Sequence, residues 1–151
     1  MLKTILACLE LEGGNMTPLY FTISELCESY IARENKINNS PTNLIQLDNM
    51  LRLIHYVLNP LRSKLGKPIT VTSGFRCKQL NAHPQVKGAV NSQHLTGEAA
   101  DIYVKGCSAR TLFEYIRNSD IEYDQLINEY DRWVHISYRH GNNRRQAFKI
   151  T

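Results

Sequence analysis

Ser92-Gln93-His94-Leu95-Thr96-Gly97-Glu98-Ala99-Ala100-Asp101-Ile102-Tyr103-Val104 is the stretch on which the reading of the fold turns. A loop that feeds a strand accounts for it. Gly97 lets the backbone turn tightly after the histidine, and the small Ala99 and Ala100 leave room for larger side chains to converge. In a strand, Ala99, Asp101 and Tyr103 share one face while Ala100, Ile102 and Val104 share the other. Asp101 is therefore expected to point into a cleft as its neighbours enter a core.

Working outward, Trp133-Val134-His135-Ile136-Ser137-Tyr138 repeats the pattern. Period two puts Trp133, His135 and Ser137 together and buries Val134 and Ile136. Further strands are expected over residues 124–130 and, as an edge, 144–150. Upstream, Ile69-Thr70-Val71-Thr72 is short, β-branched and alternating, a strand that delivers Ser73-Gly74-Phe75-Arg76 to a loop. Residues 77–93 offer a helical turn and then a polar loop. Thr22 or Ser24 caps a helix running to about residue 32, and residues 35–43 form a polar connection. Leu44, Leu47, Leu51, Ile54, Leu58 and Leu61 then recur at intervals of three and four, which places one apolar stripe on a long helix. Pro60 should bend or divide it, and Gly66 with Lys67-Pro68 should end it. Ser108 opens an amphipathic helix over residues 108–118.

With 151 residues, 42% of them hydrophobic and 21% charged, the chain fits one globular domain with its own core. No apolar run approaches the roughly 20 residues that span a bilayer, so no membrane span is expected. Met1 to Leu9 loosely imitates a secretion signal, and Ile5-Leu6-Ala7-Cys8 a lipoprotein site. The apolar run is too short for either, and Glu10 and Glu12 interrupt it. Met16 offers a later start, so residues 1–15 are expected as a disordered extension and 16–151 as the domain. Cys8, Cys27, Cys77 and Cys107 form no C-x-x-C pair and are expected as free thiols. The net charge of +4 suits an anionic surface, but only Arg139, Arg144 and Arg145 cluster, so nucleic acid is not an expected partner. A monomer is expected.

Two imidazoles and a carboxylate are a common zinc set, and three protein ligands leave a fourth position for water, as a catalytic site requires. Spacing alone favours the plainer reading of His94 and His135, since lone histidines are more often satisfied core or surface residues. His55 on the long helix, His83 before Pro84 and His140 before Gly141 have no partner block and receive no role.

Ser73-Gly74-Phe75-Arg76, the S-x-H-x6-D block from Ser92 to Asp101, and Trp133-Val134-His135-Ile136-Ser137, in that order, resemble the zinc D-alanyl-D-alanine carboxypeptidase family. That family includes VanX/VanY-type enzymes, phage cell-wall endopeptidases and the hedgehog signalling domain. The resemblance runs from about residue 17 to the end. It implies an α+β, hedgehog/DD-peptidase-like fold: a small, mainly antiparallel sheet carrying the ligands, with helices packed on one side. It also implies Zn2+ held by His94, Asp101 and His135, with Glu129 as catalytic base and Asp131 as the second candidate. Many members carry the acid in E-x-x-H, where this chain has Arg132; Glu129 matches the hedgehog-like arrangement instead. Arg76 is expected to face a substrate carbonyl or carboxylate and not the metal. Ser92 is expected either to orient the site or simply to turn the chain, and Trp133 and Tyr103 to line the cleft or to pack. The implied function is hydrolysis of amide bonds in peptidoglycan stem peptides, as a D,D-carboxypeptidase or cell-wall endopeptidase. The protein would be made in the cytoplasm and act on the cell wall, with peptidoglycan or muropeptides as its partner. The alternative is a catalytically inactive zinc-binding interaction module of the hedgehog type, against which Glu129 and Arg76 argue.

Overall fold

A computed structural model describes residues 19–151; the expected extension over residues 1–15, with Cys8 and the start at Met16, lies outside them. Thr22 accepts a hydrogen bond from the Glu25 amide and opens α1, Ile23–Cys27. Ser29 accepts one from the Ala32 amide and opens α2, Tyr30–Glu34. The expected single helix over residues 22–32 is therefore two. Glu28 is extended, and the Ser29 hydroxyl competes with the helical ladder by capping a new start.

Asn43 caps α3, Leu44–Leu53, which passes through a π-helical turn, Ile54–Leu58, into α4, Asn59–Leu65. Pro60 explains the wide turn. It has no N–H to donate, and its ring crowds the carbonyl four residues back, so the preceding turn expands and the Asn59 amide bonds to the Ile54 carbonyl. The expected interruption is absorbed inside one continuous helical run. Gly66 ends it at φ 62, its amide bonded to the Arg62 carbonyl.

Five strands follow: β1 (Thr70–Ser73), β2 (Ala99–Tyr103), β3 (Gln125–Glu129), β4 (Trp133–Ser137) and β5 (Gln146–Ile150). They form one sheet in the order β1-β2-β4-β3-β5, antiparallel except where β5 lies parallel to β3. Between them come α5 (Lys78–Asn81), a 3-10 turn (Gln93–Thr96) and α6 (Ala109–Arg117), which Ser108 caps. The architecture is α+β. Among the described residues no helix is long and apolar enough to cross a membrane. Cys27, Cys77 and Cys107 are free.

The main core lies on one face of the sheet. Ala100, Ile102, Leu126, Val134 and Ile136 meet Met50, Leu53, Val57, Leu58 and Leu61 of the long helical run and Leu112, Phe113 and Ile116 of α6. Period two sends the alternate residues Asp101, Glu129 and His135 to the opposite face. A slip of one residue would bury all three in the core, so the apolar set that stabilises the fold also fixes which side carries the chemistry.

Two glycines let helices approach the loops beneath that face. The Phe75 amide bonds to the Leu26 carbonyl at 2.8 Å, and a Cβ on Gly74 would stand 2.3 Å from that same oxygen. Gly97 has φ +78, and its Cβ would lie 2.6 Å from the Gln46 carbonyl oxygen. Around it, α3 grips the 3-10 turn: Gln46 Nε2 donates to the Leu95 carbonyl at 3.1 Å and Asn49 Nδ2 to that of Thr96 at 2.9 Å.

Gly74→Ala should destabilise the protein by about 2 kcal/mol or more, since the clash is with backbone that cannot rotate away. Gly66→Ala, at a position with open space around it, should cost only the ~1–2 kcal/mol of a left-handed backbone. Urea midpoints of the two variants check the order.

Candidate metal centre

His94 sits in the 3-10 turn, where its backbone is held from both sides. The Ser92 hydroxyl accepts from its amide at 3.3 Å, and its carbonyl accepts from the Arg76 amide at 3.0 Å. Its Nδ1 lies 2.6 Å from the Gly74 carbonyl. A carbonyl can only accept, so Nδ1 carries the proton and Nε2 keeps its lone pair. That Nε2 faces Asp101 Oδ1 at 3.3 Å. His135 reaches the same oxygen through Nδ1 at 2.9 Å, from directly across the β2–β4 ladder. One donor atom each from His94, Asp101 and His135 lies within 4.8 Å of the others, and all three residues are buried.

The charge states suit a metal. Burial is the strongest influence on His94 and lowers its pKa, keeping the imidazole neutral. Burial would push the Asp101 carboxyl up, but its close contacts with His94 and His135 outweigh it and hold the group well below the usual carboxylate range. A neutral imidazole and an ionised carboxylate are the forms that ligate.

Arg76 has partners that the sequence did not mark. Its Nη2 donates to Asp101 Oδ2 at 2.8 Å and its Nε to Ser73 Oγ at 2.8 Å. The guanidinium thus clamps the outer oxygen of a ligand candidate. It also lines the cleft, as do Ser92 and Trp133. Tyr103 does not; it pairs with Thr70 on β1 and is 40% exposed.

Glu129 stands at the end of β3 on the cleft face, half-buried, its carboxyl pushed above the ordinary value by burial and then by the negative charge of Asp101. Asp131 lies elsewhere. Its carboxylate accepts from Asn128 Nδ2 at 2.6 Å and pairs with exposed Arg110 at 3.4 Å, outside the residues that line the cleft. The cleft itself holds about 520 Å³ and gathers Arg76, Lys87, Arg139 and Arg144 around the buried donors.

Two supports escaped the sequence reading. The Gly74 carbonyl that orients His94 is a backbone group and leaves no residue-type signal. Asp124 is the other: fully buried, it accepts from Arg144 N and Nε at 3.0 and 2.8 Å on Oδ1, and from Arg144 Nη2 and Gln93 Nε2 at 2.5 and 2.9 Å on Oδ2. It ties the entry to β5 to the turn that bears His94. No spacing marks a contact between residues 20 apart in separate loops.

A family model described as Peptidase M15 matches residues 19–137. The zinc D-Ala-D-Ala carboxypeptidase of Streptomyces albus G is 35% identical over 96 residues, covering 62% of this chain and 34% of that protein. The chain spans about a third of the length of this curated relative.

The hydrogen bonds from Arg144 are the main cause holding the Asp124 carboxyl at about 2. A folded-state pKa below the unfolded value of roughly 3.9 stabilises the fold fully above that value. This contribution should disappear as pH falls from about 4 through about 2, and Asp124→Asn should flatten the acid limb of a Tm-against-pH curve.

Proposed function

The chain belongs to the peptidase M15 family, and from that premise we propose that it is a zinc-dependent peptidase that hydrolyses amide bonds in peptidoglycan stem peptides. The observation that carries the proposal is the convergence of His94 Nε2, Asp101 Oδ1 and His135 Nδ1 beneath a cleft that also holds Glu129. These two imidazoles and one carboxylate are the residues that would hold Zn2+. Zinc bound there supplies a Lewis acid for the scissile carbonyl and brings the pKa of a coordinated water near 7.

The chain's own residues supply the rest. Glu129 takes the proton of the attacking water and returns it to the leaving amine, a task for which a raised carboxyl pKa is suited. Arg76 holds Asp101 ionised and oriented, and its remaining edge adds positive charge where an oxyanion or substrate carboxylate would lie. Arg139 and Lys87 extend that charge along the cleft and favour anionic peptides such as muropeptides. The name of the Streptomyces relative supports D-Ala-D-Ala ends as substrates. We place the protein's action at the cell wall after synthesis in the cytoplasm, and as a monomer.

Zinc-loaded protein incubated with purified muropeptides and with intact sacculi, followed by mass spectrometry, tests the function. Free D-alanine from pentapeptide stems identifies a carboxypeptidase, and larger fragments from sacculi identify an endopeptidase. Cleavage of unstructured L-peptides with no action on any muropeptide would overturn the substrate class. Zinc binding without hydrolysis of anything would favour the interaction module.

Metal analysis should find one zinc per chain, with His135→Ala losing it and Arg76→Ala binding it about 10-fold or more weakly, as expected when a partner of a ligand is removed. Full occupancy in His135→Ala would remove His135 from the site. Glu129→Gln should keep its zinc and lose roughly 100-fold or more in kcat. An active Glu129→Gln beside a dead Asp131→Asn would transfer the role of base to Asp131.

A further inference from the structure

We propose that Trp133 is a positioning residue whose indole N–H holds the carboxylate of Glu129 in place for proton transfer. The proposal rests on the assignment of Glu129 as the base.

Register comes first. Glu129 and Trp133 are direct partners across the β3–β4 ladder, and both line the cleft. Opposed residues of an antiparallel pair stand side by side on one face, with Cβ atoms about 4.5–5.5 Å apart. The indole is thus beside the carboxylate by construction of the sheet.

Hydrogen bonding comes second. Trp133 Nε1 is buried and has no hydrogen-bond partner among the described residues. Indole nitrogen is a donor only, a carboxylate an acceptor only, and a buried indole N–H normally finds a partner. Glu129 is the acid set beside it, its direct partner across the ladder. A short closing movement of the flexible glutamate side chain completes the bond.

The intervening turn comes third. Tyr130 and Asp131 have φ 55 and 54, and the Arg132 amide bonds back to the Glu129 carbonyl at 2.9 Å. Two consecutive non-glycine residues in the left-handed region persist only where the surroundings hold them. Here the Tyr130 amide is tied to the Ile150 carbonyl at 2.9 Å and Asp131 to Asn128 at 2.6 Å, while the Tyr130 ring lies 6.4 Å from that of Trp133. The hairpin end is pinned on both sides, so the indole is a fixed reference against which the more flexible glutamate can settle. Its neighbour His135, two residues on along the same face, shares that reference.

Trp133 is the sole tryptophan of the chain, so 15N-labelled protein carries a single indole N–H resonance. In full-length protein, with and without zinc, that proton should move upfield and exchange faster in Glu129→Ala than in wild type. Replacing Trp133 by benzothienylalanine, which puts sulfur where the N–H stood and keeps the ring shape, should lower kcat about 10-fold or more while KM and zinc content hold. An indole resonance indifferent to Glu129→Ala overturns the proposal. So does one that shifts only when muropeptide is added, which would give the N–H to substrate instead. If the resonance follows Glu129→Ala but hydrolysis ignores Glu129→Gln, the pairing survives and the assignment of the base falls, a failure distinct from the first.

Discussion

The buried carboxylate of Asp101 is approached from three directions: His135 Nδ1 and His94 Nε2 stand beside Oδ1, and Arg76 Nη2 donates to Oδ2. A charge taken out of water costs several kcal/mol unless neighbours replace its hydration. Those neighbours come from three separate places: β4, the 3-10 turn and the loop after β1. Much of the remaining architecture can be understood as what brings these three to Asp101 on β2. The β2–β4 register sets Asp101 opposite His135, and the amide of Arg76 bonds to the carbonyl of His94 to join the two loops.

Close backbone approach supplies the precision. At Gly74 and Gly97 the loops that carry Arg76 and His94 press against α1 and α3 nearer than any side chain would permit. The helices therefore do more than cover the sheet: through Leu26, Gln46 and Asn49 they fix an amide and two carbonyls of the loops that carry the site. One of those loops supplies the Gly74 carbonyl that decides which nitrogen of His94 is bare. Core packing is thus coupled to the tautomer of a ligand candidate through a single backbone oxygen.

Two acids stand at the β3–β4 hairpin, and the sheet separates them. Glu129 falls in phase with Ile127 and Gln125 and lines the cleft, whereas Asp131 folds over toward Asn128, which is in the opposite phase. Their pKa directions diverge accordingly: burial raises Glu129, and the Asn128 hydrogen bond lowers exposed Asp131. Environments that push two carboxyls apart in this way commonly mark distinct roles.

The sequence by itself determined whatever depends on neighbours a few residues away. Alternation assigned Val134 and Ile136 to the core and His135 to the other face; the three- and four-residue spacing from Leu44 to Leu61 marked the long helix; Ser108 and Gly66 marked helix ends. The ordered blocks around His94, Asp101 and His135 pointed to residues that the fold brings together. Tertiary structure alone decided the parallel placement of β5, the grip of Arg76 on Asp101 and the Asp124–Arg144–Gln93 network. It also left Tyr103 outside the cleft, although alternation put that residue on the same face as Asp101. Periodicity and capping are local, set by dihedral angles and the nearest turn. A hydrogen bond between loops far apart in the chain exists only once packing has chosen, among many partners of the same chemistry, the one within reach.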